Sequence, residues 1–82
     1  MAQWKDKVAV ITGAGSGIGS GLAAHALEQG MTVYACDIDE AGLAALEGER
    51  LHRVTLDVTD DESVDALAER VFAEQGQVNL LF

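Results

Sequence analysis

The segment Thr12-Gly13-Ala14-Gly15-Ser16-Gly17-Ile18-Gly19 constrains the fold more than any other part of the chain. It follows Val8-Ala9-Val10-Ile11, a short β-branched apolar run of the kind buried in a parallel sheet, and it opens onto a segment with helical spacing. Glycine has no Cβ, so a glycine-rich turn between strand and helix can bend through positive φ and let a ligand come close to the backbone. The N–H groups of a first helical turn have no intrahelical acceptor and point out of the helix start. Together these features predict a cradle for an anion such as a pyrophosphate, with affinity drawn from backbone geometry and not from lysine charge.

The rest of the chain alternates between strand-like and helix-like runs. The first helix is expected to continue to about Gln29, with Ile18, Leu22 and Ala26 forming its buried stripe and Gly30 ending it. Residues 32–37 (Thr-Val-Tyr-Ala-Cys-Asp) read as a second strand that closes on an acid, and Asp39-Glu40 open a short helix carrying Leu43 and Leu46. Residues 52–56 form a weaker third strand, which the polar His52 and Arg53 place near an edge. Thr59-Asp60-Asp61-Glu62 has the Thr-x-x-Glu spacing of a capping box. In the helix that follows, Val64, Leu67, Ala68, Val71 and Phe72 share one face, and Gly76 supplies the stop. Residues 78–82 begin a fourth strand. The β-α-β-α-β-α-β pattern predicts an α/β fold over residues 1–82, a parallel sheet in the order 3-2-1-4 with helices on both faces. That is the first half of a doubly wound, Rossmann-type dinucleotide fold.

Composition narrows the possible partners. A chain of 82 residues makes one small domain at most, and a chain near this size buries only roughly 60% of its unfolded surface. No segment is long enough to span a membrane, and Met1 to Lys7 lack the apolar core of a signal peptide, so a cytoplasmic setting is expected. The formal charge of −9 argues against nucleic-acid binding through a basic patch but is compatible with a small dinucleotide held by amides. Cys36 stands alone and reads as a small core residue, with neither a disulfide nor a metal motif available to it. His25 reads as packed or partly exposed and His52 as solvated, and the acids ahead of Val64 suit the helix dipole better than a metal.

Asp37 stands at the end of the second strand, about 20 residues beyond the glycine turn, where an acid can accept hydrogen bonds from ribose hydroxyls. A carboxylate there repels a 2′-phosphate, and neither Ser16 nor Ile38 is basic, which favours NAD over NADP. The plainer reading is that Asp37 starts a turn or caps the next helix. Asp57, after the third strand, can accept from an adenine amino group while Val58 flanks the ring; its plainer reading is turn chemistry ahead of Thr59.

The glycine spacing is Thr-Gly-x-x-x-Gly-x-Gly, and with Asp37 and Asp57-Val58 it resembles the N-terminal half of the short-chain dehydrogenase/reductase family over essentially the whole chain. The resemblance implies that Gly13 makes the tight turn, Gly17 admits the pyrophosphate and Gly19 lets helix pack on strand. It also implies cofactor contacts from Ser16, Ile18, Ile38, Asp57 and Val58, and selection of NAD by Asp37. The family transfers hydride between a nicotinamide and a carbonyl or alcohol, using a tyrosine, a lysine four residues later and a serine, all beyond the fourth strand. Tyr34, the one tyrosine, is followed four positions on by Ile38 and reads as a packing residue, so no catalytic residue is assigned and no turnover is expected of these residues alone. Two alternatives stand beside this reading. One is a non-catalytic nucleotide-binding module, or one that self-associates through Leu80, Leu81 and Phe82 on an exposed C-terminal strand. The other is an S-adenosylmethionine-binding domain, against which the glycine spacing argues.

Overall fold

A computed structural model describes residues 4–82 as four parallel strands and three helices. The elements are β1 (Val8–Thr12), α1 (Gly17–Glu28), β2 (Thr32–Asp37), α2 (Glu40–Ala44), β3 (Leu51–Thr55), α3 (Asp61–Gln75) and β4 (Leu80–Leu81). The sheet order is β3-β2-β1-β4, with Val8 paired to Thr32 and Thr12 to Cys36 across the two central strands. Those strands are covered on both faces, as their unbroken apolar runs require.

Alternation along the strands divides the core in two. Ala9, Ile11, Val33 and Ala35 pack with Ala23 and Ala26 of α1 and Leu43 of α2. Val8, Val10, Tyr34 and Cys36 point the other way and pack with Leu67 and Val71 of α3. Full burial of a large apolar side chain such as Ile11 or Val71 stabilises the fold by about 1.5–3 kcal/mol before the entropy cost of ordering it. Cys36 is wholly buried, and burial pushes its thiol up to about 11, so it is an inert core residue.

The helices depart from the sequence pattern in specific ways. The buried face of α1 is Gly19, Ala23 and Ala26, not the stripe through Ile18; Ile18 is 80% exposed and Leu22 is only partly buried. Small residues win that face because α1 lies close against the end of β1, as the Gly19 geometry below shows. Gly30 ends α1 as expected: its N–H donates to the Leu27 carbonyl and that of Met31 to the Ala26 carbonyl, a Schellman pair.

At α3 the capping box does not form. Asp60 is the N-cap and accepts from the Glu62 amide, while the Thr59 hydroxyl donates to Asp57 and is spent there. Of the expected α3 stripe only Leu67 and Val71 are buried; Val64, Ala68 and Phe72 line an apolar groove of 310 Å³ with Val10 and Leu81.

β3 runs one residue earlier than expected and is an edge strand, as its polar residues suggest. His52 is half-buried, one face of its ring stacking on Tyr34 with ring centroids 4.5 Å apart. β4 is shorter than the expected 78–82, although the Asn79 and Phe82 amides extend its pairing by donating to the Val8 and Val10 carbonyls.

Candidate functional site

Because the strands are parallel, the segments that follow β1, β2 and β3 all emerge at one edge of the sheet. β1 is flanked by β2 on one side and β4 on the other, so this edge includes the point where the chain reverses its direction of winding, the usual place for a ligand in an open α/β sheet. The glycine turn, Asp37 and Asp57 therefore meet there although they are distant in sequence.

The turn is built on glycine for two distinct reasons. Gly13 and Gly17 have φ of +66° and +57°, left-handed values that cost an L-residue roughly 1–2 kcal/mol. Gly19 is instead required by contact: a Cβ there would overlap the Gly13 carbonyl oxygen and stand 2.7 Å from its carbon. The missing side chain thus seats α1 directly on the turn.

The start of α1 is open. Ser16 occupies the N-cap position in extended conformation yet makes no side-chain capping hydrogen bond, and no acid lies in the first turn. By contrast α2 is capped by Asp39 and α3 by Asp60. Unmatched N–H groups and the positive end of a helix dipole are the features that suit a helix start to an anion.

Asp37 is organised by the turn itself. Its Oδ2 accepts from the Gly15 amide at 2.8 Å and its Oδ1 from the Asp39 amide at 2.9 Å. These bonds, the one from Asp39 first, hold its carboxyl below the usual carboxylate range, so it is ionised at neutral pH. No cation answers it among the described residues. Arg50 pairs with Asp6 and Arg70 with Glu74, while Arg53 donates to the Leu43 and Leu46 carbonyls at the end of α2.

Ile38 and Val58, 69% and 53% exposed, line a cleft of 140 Å³ with Gly13, Asp37, Leu56 and Asp57. Asp57 Oδ1 accepts from both the Thr59 amide (2.9 Å) and the Thr59 hydroxyl (2.6 Å), which lowers its pKa; the turn chemistry foreseen for it is present.

All nine sequence-derived candidates lie along this edge: Gly13, Ser16, Gly17, Ile18 and Gly19 in the turn and helix start, and Asp37, Ile38, Asp57 and Val58 around the cleft. Sequence reasoning missed Leu56, the buried residue of the cleft, and Gly15, whose amide meets Asp37. Leu56 reads from the sequence as an ordinary strand residue, but the unassigned second glycine of the turn was a signal for Gly15.

Tyr34 lies outside this edge chemically. It is fully buried and its hydroxyl donates to Glu74 Oε1 at 2.6 Å, so it packs and tethers α3. Among the described residues no three His, Cys, Asp or Glu side chains gather as a metal site, and no helix is long and apolar enough to cross a membrane.

Comparison with known proteins agrees with this geometry. A short-chain dehydrogenase from Burkholderia phymatum in complex with NAD superposes on the whole chain with a TM-score of 0.86 at 38% identity, the chain covering 31% of it. The 3-ketoacyl-(acyl-carrier-protein) reductase of Brucella melitensis complexed with NADH matches 95% of the chain with a TM-score of 0.85 at 36% identity, and 34% of that protein is covered. The CLA biosynthesis dehydrogenase/reductase of Lactiplantibacillus plantarum is 38% identical over 99% of this chain, which spans 30% of that relative's length. The family model for the short chain dehydrogenases matches residues 7–82. With its glycine turn, acid-ended β2 and 3-2-1-4 sheet, this chain belongs to the short-chain dehydrogenase family.

Proposed function

We propose that residues 1–82 form the part of a nicotinamide dinucleotide site that holds the adenosine and pyrophosphate, within an oxidoreductase that moves hydride between NAD and a carbonyl or alcohol. The observation that carries this reading is the open, uncapped start of α1 behind the glycine turn, beside a carboxylate that the same turn orients. The backbone amides at Ser16, Gly17 and Ile18 receive the pyrophosphate, and Gly13 and Gly19 give the turn its shape. Asp37 accepts the ribose hydroxyls with the lone pairs that Gly15 and Asp39 leave open. Ile38 and Val58 flank the adenine, and Asp57 accepts from its amino group through Oδ2, since Thr59 uses Oδ1. A nicotinamide dinucleotide, when bound, supplies or accepts the hydride; the residues here bind and orient it.

NAD is preferred over NADP in this reading, because an ionised Asp37 without a facing cation repels a 2′-phosphate. The net charge of −9 weighs against a nucleic-acid partner, and the setting is cytoplasmic. Calorimetric titration of the full natural chain with NAD, NADP and S-adenosylmethionine tests the proposal. NAD is expected to bind tightest and S-adenosylmethionine not at all; failure of both dinucleotides to bind overturns it.

One observation favours a second property, self-association through the sheet edge. Leu81 on β4 and Phe82 just after it are 74% and 52% exposed, beside the apolar groove under α3. Sedimentation across a concentration series reads this directly, and a monomer at every concentration removes it.

A further inference from the structure

Gly42, in the first turn of α2, carries no role in the site as drawn above, yet it touches the glycine turn. A Cβ on Gly42 would overlap the Gly15 carbonyl oxygen and stand 2.8 Å from the Gly15 carbon. Both obstacles are backbone, so no side-chain rotation relieves them. On its other side Gly15 is equally confined: a Cβ there would stand 2.8 Å from Asp37 Oδ2 and 3.2 Å from the Asp39 carbonyl oxygen. The tip of the turn is therefore held between the Asp37 carboxylate and the backbone of α2.

The contacts close into a ring. The Gly15 amide donates to Asp37 Oδ2 and the Asp39 amide to Asp37 Oδ1. The Gly42 amide donates to Asp39 Oδ1 at 3.1 Å, and Gly42 returns against the Gly15 carbonyl. Each member sets the position of the next, and the ring joins the two parts of the site that must keep a fixed separation: the turn that receives the pyrophosphate and the carboxylate that reads the ribose.

We propose that Gly42 is a positioning residue for nucleotide selectivity, acting through Gly15 and Asp39 to fix the Asp37 carboxylate relative to the glycine turn. The proposal rests on the dinucleotide reading above. Gly42 touches no part of the nucleotide in this account; its contribution is the absence of a side chain, which lets α2 close the ring. A methyl group at this position forces α2 and the turn apart, and with them the carboxylate that the turn holds.

The test compares Gly42→Ala, Asp39→Ala and Gly48→Ala with the unmodified full natural chain, measuring affinities for NAD and NADP by calorimetry. Asp39→Ala opens the same ring by removing the acceptor for the Gly42 amide without adding volume, and it reads the proposal if Gly42→Ala does not fold. Gly48→Ala is the control, since its new Cβ meets only the flexible end of Leu27. Gly42→Ala and Asp39→Ala are expected to lower NAD affinity about tenfold, the scale of a weakened hydrogen bond to a charged group, and to shrink the ratio of NAD to NADP affinity, while Gly48→Ala changes neither. A merely structural glycine weakens both ligands equally, so an unchanged ratio in both ring variants overturns the proposal, as does unchanged affinity. If the unmodified protein binds neither dinucleotide, the dinucleotide reading is overturned and this proposal falls with it.

Discussion

The Gly15 amide donates to Oδ2 of Asp37 at 2.8 Å, so the acid at the end of β2 is held by the same turn that shapes the start of α1. Asp37 therefore lines the cleft at the sheet edge and is also a structural acceptor. Asp37→Ala is expected to reduce NAD affinity about tenfold, as loss of hydrogen bonds to a charged group does, and to leave NADP affinity unchanged or improved. Parallel titrations with the two dinucleotides check this, and equal losses would contradict the ribose assignment.

Acid sensitivity follows from the same carboxylate. Asp37 is held down mainly by the Asp39 and Gly15 amides, and Asp57 mainly by the Thr59 hydroxyl. A carboxyl whose pKa is lower in the folded chain stabilises the fold above its unfolded value of about 3.9 and loses that contribution as pH falls through the folded value. Denaturant midpoints are expected to hold steady from neutral pH to about pH 5 and then fall, with a shallower fall in Asp57→Asn.

Two glycines of α1 separate contact from propensity. Gly19→Ala places a methyl group on the Gly13 carbonyl, whereas Gly21→Ala meets nothing within 4 Å. Gly21→Ala is expected to stabilise the protein by about 0.5–1 kcal/mol, the helix preference of alanine over glycine. Gly19→Ala is expected to destabilise it despite the same preference, by about 1–3 kcal/mol for an overpacked contact. Urea unfolding of the two variants reads the opposite signs.

The start of α3 distinguishes its two candidate caps. Asp60 accepts from the Glu62 amide and from the Ser63 hydroxyl, and Thr59 only serves Asp57. Asp60→Ala is expected to cost about 1 kcal/mol, the usual loss for an N-cap, and Thr59→Ala clearly less. Amide exchange along the first turn of α3 locates the effect, and a larger loss in Thr59→Ala would restore the capping box.

Tyr34 and Glu74 tie β2 to the last turns of α3. Burial chiefly, and then the Glu74 hydrogen bond, raise the Tyr34 phenol above its ordinary 10.0, while the same bond lowers Glu74. A group with a raised folded pKa contributes stability in full below the unfolded value and loses it as pH rises through the folded one, so the protein is expected to weaken above about pH 10. Tyr34→Phe is expected to cost about 1 kcal/mol at neutral pH and to flatten the alkaline decline, with Tyr absorbance and denaturant midpoints as the readouts.

Much of this protein is legible in its sequence because the relevant physics is local. Period and punctuation place β1, β2 and the helices, Gly30 and Gly76 end α1 and α3, and the order of strands and helices leaves few ways to build a parallel sheet. The candidate site is legible for the same reason, since strand ends in a parallel sheet share one edge: Asp37 ends β2, and Gly13 and Asp57 lie just past the ends of β1 and β3.

Tertiary structure decided which of two locally equal choices prevailed. Ile18 fits a buried stripe by spacing, but close approach of α1 to β1 gives that face to Gly19 and Ala23 and leaves Ile18 exposed at the helix start. Thr59 fits a capping box, but the carboxylate of Asp57 takes its hydroxyl and Asp60 becomes the cap. The glycine turn reads from sequence as a cradle; that Gly15 and Gly42 lock it to Asp37 does not, because their contact joins residues 27 positions apart, and only the folded sheet brings β1 and β2 side by side so that α2 can reach the turn. Local periodicity and chain order thus determined the architecture and the edge that carries the candidate site, and long-range packing determined the geometry with which that edge is held.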